Sequence, residues 1–387
     1  MDEWTAAEVL KDEFIHNQSQ RDIDNTAQLE NEAEATIELS ASFLAYVAES
    51  IAEDQSTHAR TALFLNVFKY FTSTYLATKD IYSLTSTFDT DTRKTVLSAY
   101  FLAVAALKAR EIDASIPKQE SALLAAALSK KASVFALFGG QGTNEVYFDE
   151  LQNLYDIYKP FVPVAPFVQT LTKDILAPLF AVEEASTYYT FGLDVVSWLS
   201  GATARPAVSY LASVPISLPL IGLTQLVQYL VVFHVAGLTP CELRSRLSGA
   251  MGHSQGIVSA ALPSSLQHRA PLKSFPTTPT KTFIVTGPPK ALFSLVASLR
   301  KVRAQSGLQV DQSKTPFSQQ KPIFSVRFLL VGAPYHSEYL DGVTDTVAEE
   351  DLEDEELWDA KDLKIPVTDT NDGISLYPAY LGAYRLI

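Results

Sequence analysis

Cysteine is nearly absent: Cys241 stands alone in 387 residues. A single thiol makes neither an intramolecular disulfide nor a cysteine-rich metal cage, and such sparing use fits a reducing compartment. Positive charge is also short, with 30 lysines and arginines against 44 aspartates and glutamates and a formal net charge of −14. A chain this acidic lacks the general field that gathers nucleic acid or anionic membrane, so neither is expected as a partner. An anionic ligand needs a local pocket of basic groups or backbone N–H donors instead. The opening residues MDEWTAAEVLKDEF have no basic n-region and no apolar h-region, so no secretory leader is expected. Charged residues make up only 19% and apolar residues 47%, which suffices for a sizeable core and excludes disorder of the whole chain. At about 150 residues per domain, two or three domains are expected.

Long apolar runs are rare as well. The one that could be mistaken for a membrane span is LPLIGLTQLVQYLVVFHVAGL, Leu218 to Leu238. It carries Gln225, Gln228 and His234 and no flanking basic cluster, so it reads as a buried helix in a soluble, cytoplasmic protein. The first 130 residues look helical, with apolar periodicity over Ser42 to Ala52, Thr61 to Ala77 and Leu97 to Arg110. The apolar run Ala132 to Phe138 meets Gly139-Gly140-Gln141-Gly142-Thr143 and predicts a buried strand ending in a glycine turn. Tyr147 to Tyr158 is amphipathic. A helix around Leu220 to Val235 ends at Gly237, and Thr239-Pro240-Cys241-Glu242 has the capping-box pattern that starts another, running to about Leu247. After a Pro- and Ser-rich stretch, Pro263 to Pro279, a strand at Thr282 to Val285 and a helix at Ala291 to Val302 are predicted. Glu349 to Glu356 reads as a solvated acidic face or loop.

Gly252-x-Ser254-x-Gly256 matches the nucleophile elbow, in which a strained strand-to-helix turn lifts a serine hydroxyl clear of its neighbours. The following helix directs N–H groups and positive dipole at any oxyanion formed there. Taken alone, the same five residues equally describe a bland glycine turn. A nucleophilic serine needs a base, and there are six histidines. His16 and His58 fall in the helical N-terminal part, His234 on an apolar helix, and His253 inside the elbow itself. His336, in Ala333-Pro334-Tyr335-His336-Ser337, follows the apolar stretch Phe328 to Val331, where a loop leaves a predicted strand, and is the candidate partner. An α/β-hydrolase places an acid between its serine and histidine, and only Asp311 lies there, so a Ser–His dyad fits better than a triad. The glycine loop at 139–142 is a suitable source of a second oxyanion donor.

Four segments together carry a resemblance: GGQGT (139–143), PISLPLIGLTQLVQYL (215–230), GLTPCELRSRLSGAMGHSQG (237–256) and PFSQQKPIFSVRFLLVGAPYHSEYL (316–340). They resemble the acetyltransferase domain of the fungal fatty acid synthase β subunit, over most of residues 130–375 and more weakly through the helical N-terminal part. The resemblance implies an α/β chain with a malonyl-transacylase-like fold, an α/β-hydrolase-like core plus a ferredoxin-like subdomain. Residues 1–130 are then a helical N-terminal region and 131–387 the acyltransferase domain, with 282–327 approximating what remains of the ferredoxin-like part, where Thr286-Gly287-Pro288-Pro289 resembles a family turn. It also implies transfer of an acetyl or other short acyl group from coenzyme A to the phosphopantetheine arm of an acyl carrier protein. In that chemistry Ser254 is the nucleophile, His336 the general base and acid, and the backbone N–H groups of Gln141 and Gln255 form the oxyanion hole. No cofactor or metal is expected to be bound by this chain; acyl-CoA is the substrate, and the other synthase subunits are partners in a large hetero-oligomer.

Two departures stand out. Where the family continues after Gly256 with a long helical stretch and the first part of the ferredoxin-like subdomain, this chain has only Ile257 to Lys281. The arginine that pairs with a substrate carboxylate in malonyl-type relatives belongs to that stretch, so acyl selectivity has lost its usual marker and Arg269 is no assured substitute. Second, the enoyl reductase, dehydratase and malonyl/palmitoyl transferase domains that follow in the family have no counterpart here, nor do their flavin and NADPH. A starter-making subunit of a secondary-metabolite synthase would look the same. Against acyl transfer stand a serine esterase and a catalytically impaired scaffold fragment.

Overall fold

Apolar residues recurring at three- and four-residue intervals drive the first part of the chain into helices, because only that spacing gathers them on one face. The computed structural model describes residues 32–53, 58–112, 121–142, 146–176, 187–264 and 288–303, with short pieces at 326, 340, 342–346, 349 and 365–369. It is an α/β structure, mostly helical, with a small parallel sheet. The chain divides into two compact units, Met1–Ala132 with Phe148–Arg205 and Leu223–Arg246, and Ser133–Tyr147 with Pro206–Gly222 and Leu247–Ile387.

In the first unit, α1 (Glu32–Glu53) packs against both α2 (His58–Tyr75) and α3 (Thr90–Ala109). Leu44, Val47 and Ile51 of α1, Phe64, Phe68 and Phe71 of α2, and Val96, Val104 and Leu107 of α3 are all buried. Aromatic rings fill much of this core: Phe68 stacks on Tyr100 at 6.5 Å, and Phe101 meets Tyr158 at 4.8 Å. Tyr158 lies on α4 (Tyr147–Tyr158) and shares a 2.9 Å hydroxyl–hydroxyl hydrogen bond with Tyr82. α3 begins where Asp89 accepts hydrogen bonds from the N–H groups of Asp91 and Thr92, which satisfies donors that the first helical turn leaves unpaired.

The apolar segment forms α5 (Val214–Val235), which starts earlier than the sequence predicts and runs through Pro219. By length and composition it could cross a bilayer, but half of its most apolar window is buried inside the protein. Ile216, Leu220, Val227 and Leu230 are buried along it, as are the polar Ser217 and Thr224. Gly237, at φ +64°, closes its C-terminal end in the left-handed region that favours glycine. The predicted capping box then starts α6 (Pro240–Ser245): the Glu242 N–H donates to Thr239 Oγ1 at 3.2 Å, and the Thr239 N–H donates to Glu242 Oε2 at 2.7 Å. α6 stops at Ser245, two residues short of the expected end, with Arg246 as its C-cap.

The second unit holds the sheet. β1 (Phe135–Phe138) forms where the strand is predicted but is not the buried strand expected, since only Phe138 is buried and Leu137 is 72% exposed. It pairs parallel with β2 (Gly249–Gly252) in the register Phe135 to Gly249 and Phe138 to Gly252. β2 pairs parallel on its other side with β3 (Val367–Asp369), so the order is β1-β2-β3 with the serine motif's strand at the centre. A central strand is covered on both faces and reads as small and apolar rather than alternating, which is how Gly-Ala-Met-Gly escapes notice in the sequence. The helix α7 (Gly256–Ser264) packs on all three strands, and Phe138, Ala250, Ile257, Ala260, Ala261, Ile365 and Val367 form one buried cluster. The predicted helix beyond the Pro-rich stretch is present as α8 (Pro289–Val302). The strand expected at Thr282 to Val285, the Pro-rich stretch beyond Ser264 and most of 282–327 lie outside the described residues.

Tyr147 ties this unit together: its hydroxyl, in a side chain 1% exposed, donates to the Leu211 carbonyl at 2.8 Å. Tyr147→Phe keeps the ring and removes one buried hydrogen bond, so it should cost about 1 kcal/mol. Urea titration of the two proteins checks this; equal midpoints would show that the hydroxyl contributes nothing.

Candidate active site

Between the end of β2 at Gly252 and the start of α7 at Gly256 only His253, Ser254 and Gln255 intervene, so the chain turns from strand to helix within three residues. Ser254 takes φ +54°. A non-glycine residue in this region costs of the order of 1–3 kcal/mol and persists only where its surroundings impose it. Here they do. The His253 N–H donates to the Phe138 carbonyl at 3.0 Å, and the N–H groups of Gly256 and Ile257 donate to the carbonyls of His253 and Ser254 at 2.9 and 3.0 Å. The two glycines of the motif are needed for close approach: a Cβ on Gly252 would stand 2.2 Å from Ile257 Cα, and one on Gly256 2.3 Å from the Phe138 carbonyl oxygen. The result is a strand–turn–helix with a half-buried serine at the carboxyl edge of a parallel sheet, the edge at which such sheets bind ligands.

The glycine loop leaves the adjacent strand at the same edge. A Cβ on Gly140 would fall 2.8 Å from the His253 carbonyl oxygen, 2.9 Å from Ser254 Cβ and 3.5 Å from Ser254 Oγ. The loop backbone therefore lies directly beside the serine. The Gly142 N–H donates to the Gly140 carbonyl at 2.8 Å, a tight three-residue turn centred on Gln141. Gln141 is buried, and its Oε1 accepts from Ser217 Oγ at 3.2 Å; Gln255 Nε2 donates to the Leu218 carbonyl at 3.2 Å. Ser254, Gln255 and the 139–142 loop, singled out separately in the sequence, thus come together in one place.

The histidines sort differently. His336 lies outside the described residues, as do His16, His268 and Asp311. His58 is exposed at the start of α2, and His253 is exposed within the elbow. His234 belongs to α5, only partly buried and 4.7 Å from the Phe233 ring; burial, with Lys108 as a lesser cause, holds its pKa below the usual imidazole value.

One feature of this edge escaped the sequence reading. β3 pairs Asp369 with Gly252, which places an acidic residue at the end of the strand beside the elbow. Counting acids only between Ser254 and His336 passes over it. Its sole local signal is Ile365-Pro366-Val367, a short apolar run too small to mark a strand by itself.

Comparison with known proteins identifies the family. Residues 1–107 match the family described as the N-terminal domain in fatty acid synthase subunit beta, and residues 136–275 match the starter unit:ACP transacylase in aflatoxin biosynthesis. Fatty acid synthase subunit beta of Schizosaccharomyces pombe is 32% identical over 96% of this chain and 20% of its own length. The corresponding subunit of Saccharomyces cerevisiae is 30% identical over 90% of this chain and 20% of its own length. Fatty acid synthase 2 of Mycosarcoma maydis is 31% identical over 95% of this chain and 12% of its own length. The chain thus spans a fifth or less of these relatives. The Mycosarcoma alignment runs over 445 residues, more than the whole 387-residue chain, so the alignment carries gaps where this chain lacks residues. Both domain matches and these relatives agree with the four motif segments, and the chain belongs to the family of the N-terminal acetyltransferase region of fungal fatty acid synthase β subunits.

Proposed function

We propose that this chain is an acyltransferase of fatty acid synthesis that moves an acetyl or other short acyl group from coenzyme A to the pantetheine thiol of an acyl carrier protein. The observation that carries the reading is Ser254, at φ +54° between β2 and α7 with the Gly140 backbone against its side chain. In the first half-reaction Ser254 Oγ attacks the thioester carbonyl while His336 takes the hydroxyl proton. The oxyanion that forms accepts hydrogen bonds from the backbone N–H groups of Gln141 and Gln255, at the helix N-terminus where negative charge is favoured. Collapse breaks the carbon–sulfur bond, and coenzyme A leaves with the proton held by His336. The second half-reaction is the reverse with the carrier's thiol as nucleophile. The reaction is ping-pong, and no resident cofactor or metal enters it.

The same reading makes 131–387 the catalytic domain in a malonyl-transacylase-like fold, with 282–327 as a shortened ferredoxin-like part. It also makes the other synthase subunits its partners in a cytoplasmic complex. The gaps in the alignment with the Mycosarcoma relative favour one alternative, a scaffold piece with impaired catalysis.

Transfer should outrun hydrolysis, because the acyl-enzyme must exclude water until the carrier arrives. Purified chain charged with labelled acetyl-CoA should hold its ester until carrier protein is added, then deliver the label to the carrier's thiol. Free acetate released as fast without carrier as with it would make the chain an esterase; no ester at all would favour the scaffold.

A further inference from the structure

We infer that Ser217 is a positioning residue for the oxyanion hole, an inference that rests on the acyl-transfer reading of Ser254. Three of the four residues of the loop 139–142 are glycines. Glycine leaves the backbone broad freedom, yet an oxyanion donor must hold its N–H within about 2.7–3.1 Å of the developing charge. The only side chain the loop has for anchorage is that of Gln141. It is buried, and its Oε1 accepts from Ser217 Oγ, in a residue with no exposed surface. The neighbouring residue on α5, Leu218, accepts at its carbonyl from Gln255 Nε2. Both candidate donors are therefore held through their side-chain amides by adjacent residues of one helical turn, one by a hydroxyl and one by a carbonyl. That turn fixes the spacing between the two N–H groups, a distance that neither the glycine loop nor the strained elbow sets alone.

A serine that only fills space would be replaced by alanine at a cost in stability, with acylation unaffected in the folded protein. A positioning serine loses rate and keeps binding. Single-turnover acylation of the full chain by labelled acetyl-CoA separates the two, with the folded fraction of each variant established by thermal melts. Ser217→Ala should acylate Ser254 at least about tenfold more slowly, since loss of a whole oxyanion donor costs about 10²- to 10³-fold. The apparent dissociation constant for acetyl-CoA should change by less than about threefold, because the donors act on charge that develops only in the transition state. Ser217→Thr, which keeps the hydroxyl, should restore most of the rate. Gln141→Met keeps the volume and removes the acceptor; it should match Ser217→Ala, and the double variant should be no slower than either single one. If Ser217→Ala does not fold, Gln141→Met and Ser217→Thr carry the same comparison. Wild-type rates in Ser217→Ala or Gln141→Met, additive losses in the double variant, or a loss confined to acetyl-CoA binding would overturn the role of Ser217 and leave Ser254 as the nucleophile. A wild-type chain never acylated on Ser254 would overturn the acyl-transfer reading itself, and the positioning role with it.

Discussion

Ser254→Ala should yield no acyl-enzyme at all when the chain is incubated with labelled acetyl-CoA, whereas the wild type retains one ester that maps to Ser254. The expectation follows from the way the turn is built. The hydrogen bonds from His253 to Phe138 and from Gly256 and Ile257 back across the turn hold the backbone at φ +54°, so alanine can take the same conformation and the variant should fold. What disappears is the hydroxyl proposed to form the ester. His336→Ala keeps the proposed nucleophile and removes the proposed base, so the label should still appear, more slowly by about 10²- to 10⁴-fold, the usual contribution of a positioned proton acceptor. The slow label should speed up as pH rises, since hydroxide then replaces the missing base. Peptide mapping of the labelled protein decides the matter: an ester that persists at full rate in Ser254→Ala would remove the serine from the mechanism. A His336→Ala variant as fast as the wild type would assign the base elsewhere.

A large effect on stability is expected at Gly256. A Cβ there would meet the Phe138 carbonyl oxygen at 2.3 Å, the Gly139 carbonyl oxygen at 2.6 Å and the Phe138 carbonyl carbon at 2.7 Å, all of them backbone atoms at the end of β1. A clash with a flexible side chain relaxes by a rotamer change; this one relaxes only if the helix α7 lifts off the sheet. Ile257, Ala260 and Ala261 would then leave the buried cluster they share with Phe138, Ala250 and Val367. Losses above about 4–5 kcal/mol are exceptional for one substitution, but the only movement available here undoes the core of a unit, and domain stabilities are just about 5–15 kcal/mol. Gly256→Ala should therefore unfold the second unit or yield protein cut rapidly by trypsin at ambient temperature. Gly139→Ala is the control, because nothing stands within 4 Å of the Cβ it would add. Limited proteolysis and circular-dichroism melts of the two variants test the geometry. Equal melting temperatures for Gly256→Ala and wild type would mean that helix and strand are not packed as closely as described.

Much of the local structure was legible in the residues. Thr239-Pro240-Cys241-Glu242 starts a helix because its reciprocal hydrogen bonds close within four residues, and Gly237 ends the preceding one because left-handed backbone favours a residue without a side chain. Ala132 to Phe138 announced β1 by its apolar run and the glycines after it, and Gly252-x-Ser254-x-Gly256 announced the elbow because strand, turn and helix lie side by side in the chain. Where sequence reading fell short, the cause was a contact made at a distance or a local signal overridden by packing. The helix expected around Leu220 to Val235 starts earlier, at Val214, and runs through Pro219, because burial of Ile216, Leu220, Val227 and Leu230 along it outweighs the one internal bond the proline removes.

Tertiary structure alone decided the rest of the site. β3 joins β2 across more than a hundred residues of chain, and a three-residue strand has too short a pattern to announce itself. The approach of Gly140 to Ser254, the register that sets Asp369 beside Gly252, and the attachment of Gln141 and Gln255 to Ser217 and Leu218 all join segments far apart in the chain. Amino-acid sequence by itself determined which residues could turn, cap or react, since backbone strain, hydrogen-bonding groups and nucleophilicity are properties of single residues and their neighbours. Which of them stand together was decided by the packing of β1, β2, β3 and α7, because only burial of a shared apolar cluster brings distant segments to one edge of one sheet.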